Sequence, residues 1–222
     1  KYTGSNDAVA MNKFRLYKLA GEKEKAFKEI ETIVEKNPDN IQYILMVGEL
    51  YLDDYQNEKA LEYFKKAEQI DAESPALILA MVKYYEKTGN KEASINEIQK
   101  AIANSKMELD TKLQLLSRYI ALLNQGKQDL NAAQPLFNSL FEQYPNNSEI
   151  NLIYGDVLLM QEKKDEALQH FEAYVRDYPE DPTGYDQMLR ILLPDTSATK
   201  KVIEITEKGI ENIPDAPQFY FY

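Results

Sequence analysis

Residues 41–74, IQYILMVGELYLDDYQNEKALEYFKKAEQIDAES, carry two amphipathic runs at 3.6 residues per turn. One runs from Ile41 to about Asp54 and the other ends near Ile70, with a polar turn at Tyr55 to Asn57 between them. Together they read as one helical hairpin. A shift of 34 residues in either direction lands on the same pattern, so that Tyr51 is flanked by Tyr17 and Tyr85, and Tyr119 follows at the same interval. Nine places after the first three tyrosines stand the small residues Ala26, Ala60 and Ser94. Four places further come Ile30, Phe64 and Ile98, then Ile33, Ala67 and Ala101. A two-helix pattern repeated at this period is the sequence signature of a solenoid, in which each unit buries its apolar face against its neighbours.

The period divides residues 1–222 into one array with units at about 7–40, 41–74, 75–108, 109–147, 148–181 and 182–216, and a partial unit at 217–222. The first unit turns at Gly21-Glu22-Lys23 and closes before Asn37-Pro38, where proline cannot continue a helix. The third opens at Ser74-Pro75 and bends at Thr88-Gly89-Asn90. The fourth breaks register: after Tyr119 the small slot is Ala133, an insertion of five residues within Gln125 to Leu130. Pro135 then falls inside the expected second helix, where it would cost about 3 kcal/mol, so that helix is expected to start late or kink. The fifth unit is regular again, with Tyr154-Gly155, Leu158, Ala167, Phe171, Tyr174 and Pro179. In the sixth, Val202, Thr206 and Gly209 occupy the packing slots, and Gly209 reads as a weak choice that adds no packing. The run Phe219-Tyr220-Phe221-Tyr222 in an unfinished unit suggests a segment of a longer array.

Composition is that of a foldable chain, with 44% hydrophobic and 28% charged residues, and this excludes a disordered reading. A formal charge of −11 without a basic cluster disfavours a nucleic-acid partner. No stretch approaches 18 consecutive apolar residues, so no membrane span is expected, and Lys1-Tyr2-Thr3-Gly4 lacks the apolar core of a signal peptide. Without cysteine there are no disulfides, thiolate metal sites or cysteine nucleophiles, and the compartment stays open, the cytoplasm included.

The slots resemble the tetratricopeptide repeat family. Gly48, Tyr51, Ala60, Phe64 and Ala67 meet its pattern in the second unit, and Tyr154, Gly155, Ala167, Phe171 and Pro179 meet most of it in the fifth. Departures are the missing tryptophan, the replacement of glycine by Phe14, Val82, Leu116 and Leu189, and the insertion in the fourth unit. The resemblance implies an all-α, right-handed superhelical solenoid of antiparallel helix pairs that binds a protein or peptide and is not an enzyme. Asp110-Thr-Lys-Leu-Gln-Leu-Leu116 and Pro135-Leu-Phe137 are similar to internal segments of long exported tetratricopeptide proteins of Bacteroidetes, which implies a periplasmic or envelope location.

In that family a concave groove is lined by first helices. By its geometry the groove residues are Met11, Arg15 and Lys18; Leu45, Glu49 and Leu52; Leu79, Lys83 and Glu86; Leu113, Ser117 and Ile120; Leu152, Asp156 and Leu159; and Asp186 and Arg190. An apolar floor with alternating charges would hold an amphipathic helix or an extended peptide. Alternatively Arg15, Glu49 and Lys83, as equivalent slots of adjacent units, pair with each other for about 0 to 1 kcal/mol. The two-lysine, arginine and two-asparagine clamp of chaperone-binding members is absent, its slots holding Met11, Arg15, Met46, Ala76 and Ala80.

No phosphate loop, nucleophile elbow or metal-spaced His or Cys set is present, and no cofactor is expected. The only histidine, His170, is expected on the solvent face. Asp53-Asp54 and Glu180-Asp181 read as ordinary helix-end acids, lacking the further oxygen donors of a cation site. Tyr43, Tyr55 and Tyr63 could form a surface patch, or pack against a neighbouring unit. Two functions therefore follow: a protein-interaction scaffold with its partner on the first-helix face, or a structural segment that self-associates with no ligand in the groove.

Overall fold

The computed structural model describes residues 4–145 and 147–221, with side chains from Asp7 onward. Lys1 to Thr3 and Tyr222, the ends of the terminal readings above, lie outside the described residues. Among those described are twelve α-helices and no strand. They fall into two compact units, Lys1–Lys112 and Leu113–Tyr222.

The first unit stacks three antiparallel hairpins: α1 (Gly4–Leu19) with α2 (Lys23–Lys36), α3 (Ile41–Asp53) with α4 (Asn57–Ile70), and α5 (Pro75–Lys87) with α6 (Lys91–Ala103). The starts of α3 and α6 are capped by asparagine side chains. Asn40 accepts hydrogen bonds from the Gln42 and Tyr43 amides at 3.0 and 3.2 Å, and Asn90 from that of Ala93 at 3.1 Å.

Each first helix here ends in the same way, and the repeated tyrosine marks the place. The Glu22, Gln56 and Asn90 amides donate to the carbonyls of Tyr17, Tyr51 and Tyr85 at 2.9, 2.9 and 2.8 Å. Inside those bonds, Gly21, Tyr55 and Gly89 donate to Lys18, Leu52 and Glu86 with φ of 77°, 63° and 76°. This nested pair is a Schellman stop, whose left-handed residue is relaxed when it is glycine and strained when it carries a Cβ, as Tyr55 does.

The second unit holds most of α7 (Leu109–Gln125), then α8 (Gln134–Gln143), α9 (Ser148–Met160), α10 (Lys164–Asp177), α11 (Pro182–Leu192) and α12 (Thr199–Asn212). The insertion is absorbed in two ways. Helix α7 has 17 residues against the 13 of α3 and α5, and reaches its Schellman stop at Leu123, with Lys127 at φ 51°. A 3₁₀ turn, Leu130–Ala133, then leads into α8, which starts late with Pro135 in its first turn and has 10 residues against the 14 of α4 and α10. Proline costs nothing there, because first-turn amides have no intrahelical partner. Helix α9 ends on Leu158 and Glu162, the latter at φ 63°.

Glycine and phenylalanine close the hairpins. A Cβ at Gly48 would lie 2.6 Å from the Phe64 ring, and one at Gly155 2.5 Å from that of Phe171. The ring of each second helix thus rests on its own hairpin's first helix, and Phe64 also meets Tyr84 of the next hairpin edge-on at 6.1 Å. Gly209 corrects the sequence reading. A Cβ there would sit 2.9 Å from Phe219, which is fully buried by a C-terminal 3₁₀ turn, Pro217–Phe221, and meets Tyr185 edge-on at 5.5 Å. That glycine makes room for an aromatic ring. Tyr220 and Phe221 beyond it are exposed.

Candidate partner-binding faces

In the first unit the structure changes the expected apolar floor. Leu45 and Leu52 are buried in the core among Phe14, Tyr51 and Phe64, and Met11 is partly buried against it, so only Leu79 is open. Helical period identifies the side of a helix and not how deep that side lies.

The charged slots form a ladder between successive first helices. Lys83 on α5 reaches Glu49 at 3.8 Å and Asp53 at 3.3 Å on α3, and Lys87 reaches Asp53 at 2.7 Å. Lys18 on α1 and Lys23 on α2 meet Asp54 at 3.9 and 3.2 Å. The bond from Lys87, with that from Lys83, holds the Asp53 carboxyl below its usual range. Glu49 and Lys83 therefore pair as equivalent slots of adjacent hairpins. Arg15 is exposed beside Phe14, Lys18 and Leu19. Asp53 and Asp54, which read as ordinary helix-end acids, are the anchors of the ladder. The signal was available, since Lys87 follows Asp53 by one repeat.

In the second unit Leu113 and Ile120 of α7 are buried, while Leu152 and Leu159 of α9 are partly buried and Met160 is exposed. Asp156 stands between these leucines. Half-buried, it makes no hydrogen bond or ion pair among the described residues, and burial pushes its carboxyl above the ordinary value, with exposed Arg190 acting against the rise. On α11, Gln187 has a buried side-chain oxygen without a hydrogen-bond partner, which the sequence did not mark. Glu49 and Asp156 hold one slot and differ in satisfaction.

His170 is not on the solvent face. It is half-buried, stacked on Phe141 at 6.0 Å and edge-on to Tyr154 at 4.7 Å, and its Nδ1 donates to Asn151 Oδ1 at 2.7 Å. Burial lowers its pKa, against an opposing pull from Glu166. The three tyrosines do not form a patch. Tyr63 is buried, its hydroxyl pushed up to about 12 by burial and by Glu31, and Tyr43 donates to Asp7 at 2.7 Å. Tyr55 stands exposed, with Lys87 5.6 Å from its ring.

The arrangement defines a class, an all-α stack of antiparallel helical hairpins whose first helices share one set of slots. That fold is the tetratricopeptide solenoid. Residues 120–182 match the family model described as Tetratricopeptide repeat. No curated protein matches the chain. Among solved structures, the chain is similar to YrrB, described as a TPR protein with an unusual peptide-binding site, at 19% identity over 86% of this chain and 96% of that one (TM-score 0.55). It is also similar to the C-terminal part of a TPR repeat-containing protein from Cytophaga hutchinsonii, at 16% identity over 92% and 78% (TM-score 0.57). A tetratricopeptide repeat protein from Parabacteroides merdae aligns at 14% identity over 97% and 83% (TM-score 0.51). At these identities the likeness establishes the fold. Among the described residues, no helix is long and apolar enough to cross a membrane, and no group of three or more His, Cys, Asp or Glu side chains could hold a metal ion.

Proposed function

We propose that the protein is a non-enzymatic interaction scaffold that holds a protein or peptide partner on its first-helix faces, chiefly through α9 and α11. The observation that carries this reading is Asp156: a carboxylate half-removed from water, flanked by half-open leucines and left without a bonded partner. An unpaired, desolvated charge destabilises the free protein and is stabilised by an incoming donor. Leu152, Leu159 and Met160 supply the apolar contact, and Arg190 a second, opposite charge at the rim. We also propose a periplasmic or cell-envelope location, an expectation drawn from the sequence resemblance to exported tetratricopeptide proteins, which fractionation of the source cells with an antibody to the protein would test.

The test of function is crosslinked affinity capture with the wild type and with an Arg15→Glu, Asp156→Lys, Arg190→Glu variant of unchanged circular dichroism. A partner held by the wild type and lost from the variant supports the reading. Equal capture by both, or capture of the protein itself alone, overturns it in favour of self-association.

A further inference from the structure

A concavity that the first-helix faces do not explain lies in the second unit where α10, α11 and α12 meet. It has a volume of about 510 Å³ and apolar walls: Val175 from α10, Tyr185 and Met188 from α11, and Ile205 from α12. Gly184 of α11 packs against the Val175 wall. A Cβ there would lie 2.6 Å from Val175 Cγ2, so only glycine lets α11 lie this close to α10. The polar group in the wall is already satisfied, because the Tyr185 hydroxyl donates to the Pro179 carbonyl at 3.2 Å and accepts from Asn212 Nδ2 at 3.0 Å. An occupant therefore gains by apolar burial and not by hydrogen bonding to that wall.

The lining carries three cations, Arg176, Lys201 and Lys208, and two acids, Glu172 and Glu204. Its two acids are taken, Glu172 by Lys201 at 2.8 Å and Glu204 by Lys200 at 3.9 Å. Lys208 makes no ion pair among the described residues, and Arg176 is exposed and touches only its neighbour Asp177, at 3.1 Å through Nε. In a protein of formal charge −11, an apolar cavity lined by more cations than acids, with Lys208 free of any ion pair among the described residues, locally favours anions.

We propose that this cavity is a second peptide-binding site, which takes a large apolar side chain flanked by carboxylates in a partner peptide: the side chain enters between Met188 and Ile205, and the carboxylates meet Arg176 and Lys208. The proposal is independent of the first-helix reading, since none of its residues lies on that face.

The test is an NMR titration of the whole chain, with labelled methyl groups and amides, against the capped peptide acetyl-Glu-Asp-Phe-Asp-Glu-amide. Saturable shifts are expected at Val175, Met188 and Ile205. Replacing the central Phe by Gly, or all four acids by Lys, should each weaken binding at least tenfold. The variant Arg176→Glu, Lys208→Glu changes only exposed side chains and should weaken it to the same degree with unchanged spectra elsewhere. Absence of saturable shifts, equal affinity for the acidic and basic peptides, or full affinity in the charge-reversal variant would each overturn the proposal. Shifts confined to Leu152, Asp156 and Leu159 would do so as well, while supporting peptide binding on the first-helix face.

Discussion

Glu49 and Asp156 occupy the same slot in two hairpins built on the same glycine, aromatic and alanine positions, yet one is tied into a ladder and the other is left unpaired. In the first unit Glu49 and Asp53 of α3 meet Lys83 and Lys87 of α5, so these acids are paired. In the second, Arg190 is too far from Asp156 to bond, and the carboxylate is held partly out of water. The fold depends on residues that face inward between helices, whereas the outward slot can change its chemistry without disturbing them. The unit with the unsatisfied slot is the one to search for a partner.

The strongest test of this separation removes the shared core. Phe64→Ala and Phe171→Ala should each cost about 3 to 5 kcal/mol in denaturant unfolding, because both rings are fully buried. Hydrogen exchange should then show the loss of protection around α3 to α5 in the first case and α9 to α11 in the second. If Phe171→Ala were as mild as a surface change, the two hairpins would not be equivalent. Next come Gly48→Ala and Gly155→Ala, each expected to cost about 1 to 3 kcal/mol by forcing the ring away.

The turns give a smaller contrast. Gly89→Ala should destabilise by about 1 kcal/mol because its φ is positive, whereas Glu162→Gly at the equivalent place should stabilise by about 0.5 to 1 kcal/mol. Thermal melts of the pair check the opposite signs.

The smallest effects bear most directly on the comparison. Asp53 has its folded pKa lowered, so its stabilisation is present above the unfolded value near 3.8 and is lost as pH falls through the folded pKa. Asp156 has its folded pKa raised, so the folded state binds the proton more tightly. Its contribution therefore worsens as pH rises through that window and stays unfavourable at neutrality. At pH 7 Asp53→Asn should lower stability, and Asp156→Asn should raise it, each by less than about 1 kcal/mol. Melting both variants at pH 7 and pH 3 should show the two differences shrinking together in acid. A destabilising Asp156→Asn would mean that the carboxylate is already satisfied, and the contrast between the units would fall.

The hairpins were legible because their determinants are local or lie one repeat away. The tyrosine interval marked the ends of first helices, the alanines and phenylalanines marked the packing, and Pro135 announced the late start of α8. What escaped depended on partners out of phase with the repeat. Gly209 looked wasted because the ring that needs it, Phe219, arrives from an irregular turn. His170 looked exposed because Phe141, which covers it, comes from the shortened α8 after the insertion. Leu45 and Leu52 were placed on the correct helices but at the wrong depth. The state of Asp156 could not be read at all, because pairing across hairpins depends on a reach of a few ångströms that the slots do not encode.

The backbone stop that ends α1, α3, α5, α7 and α9 makes no demand on how long the helix before it has been. Helix α7 runs about one turn past the position where its counterparts end and still finishes with the same two carbonyl bonds and the same left-handed residue. Chain length can therefore change at this joint in steps of roughly one helical turn, about 3.6 residues, and the following hairpins regain their phase. The joint works as an expansion seam, at which the array can lengthen one arm without rewriting the slots downstream.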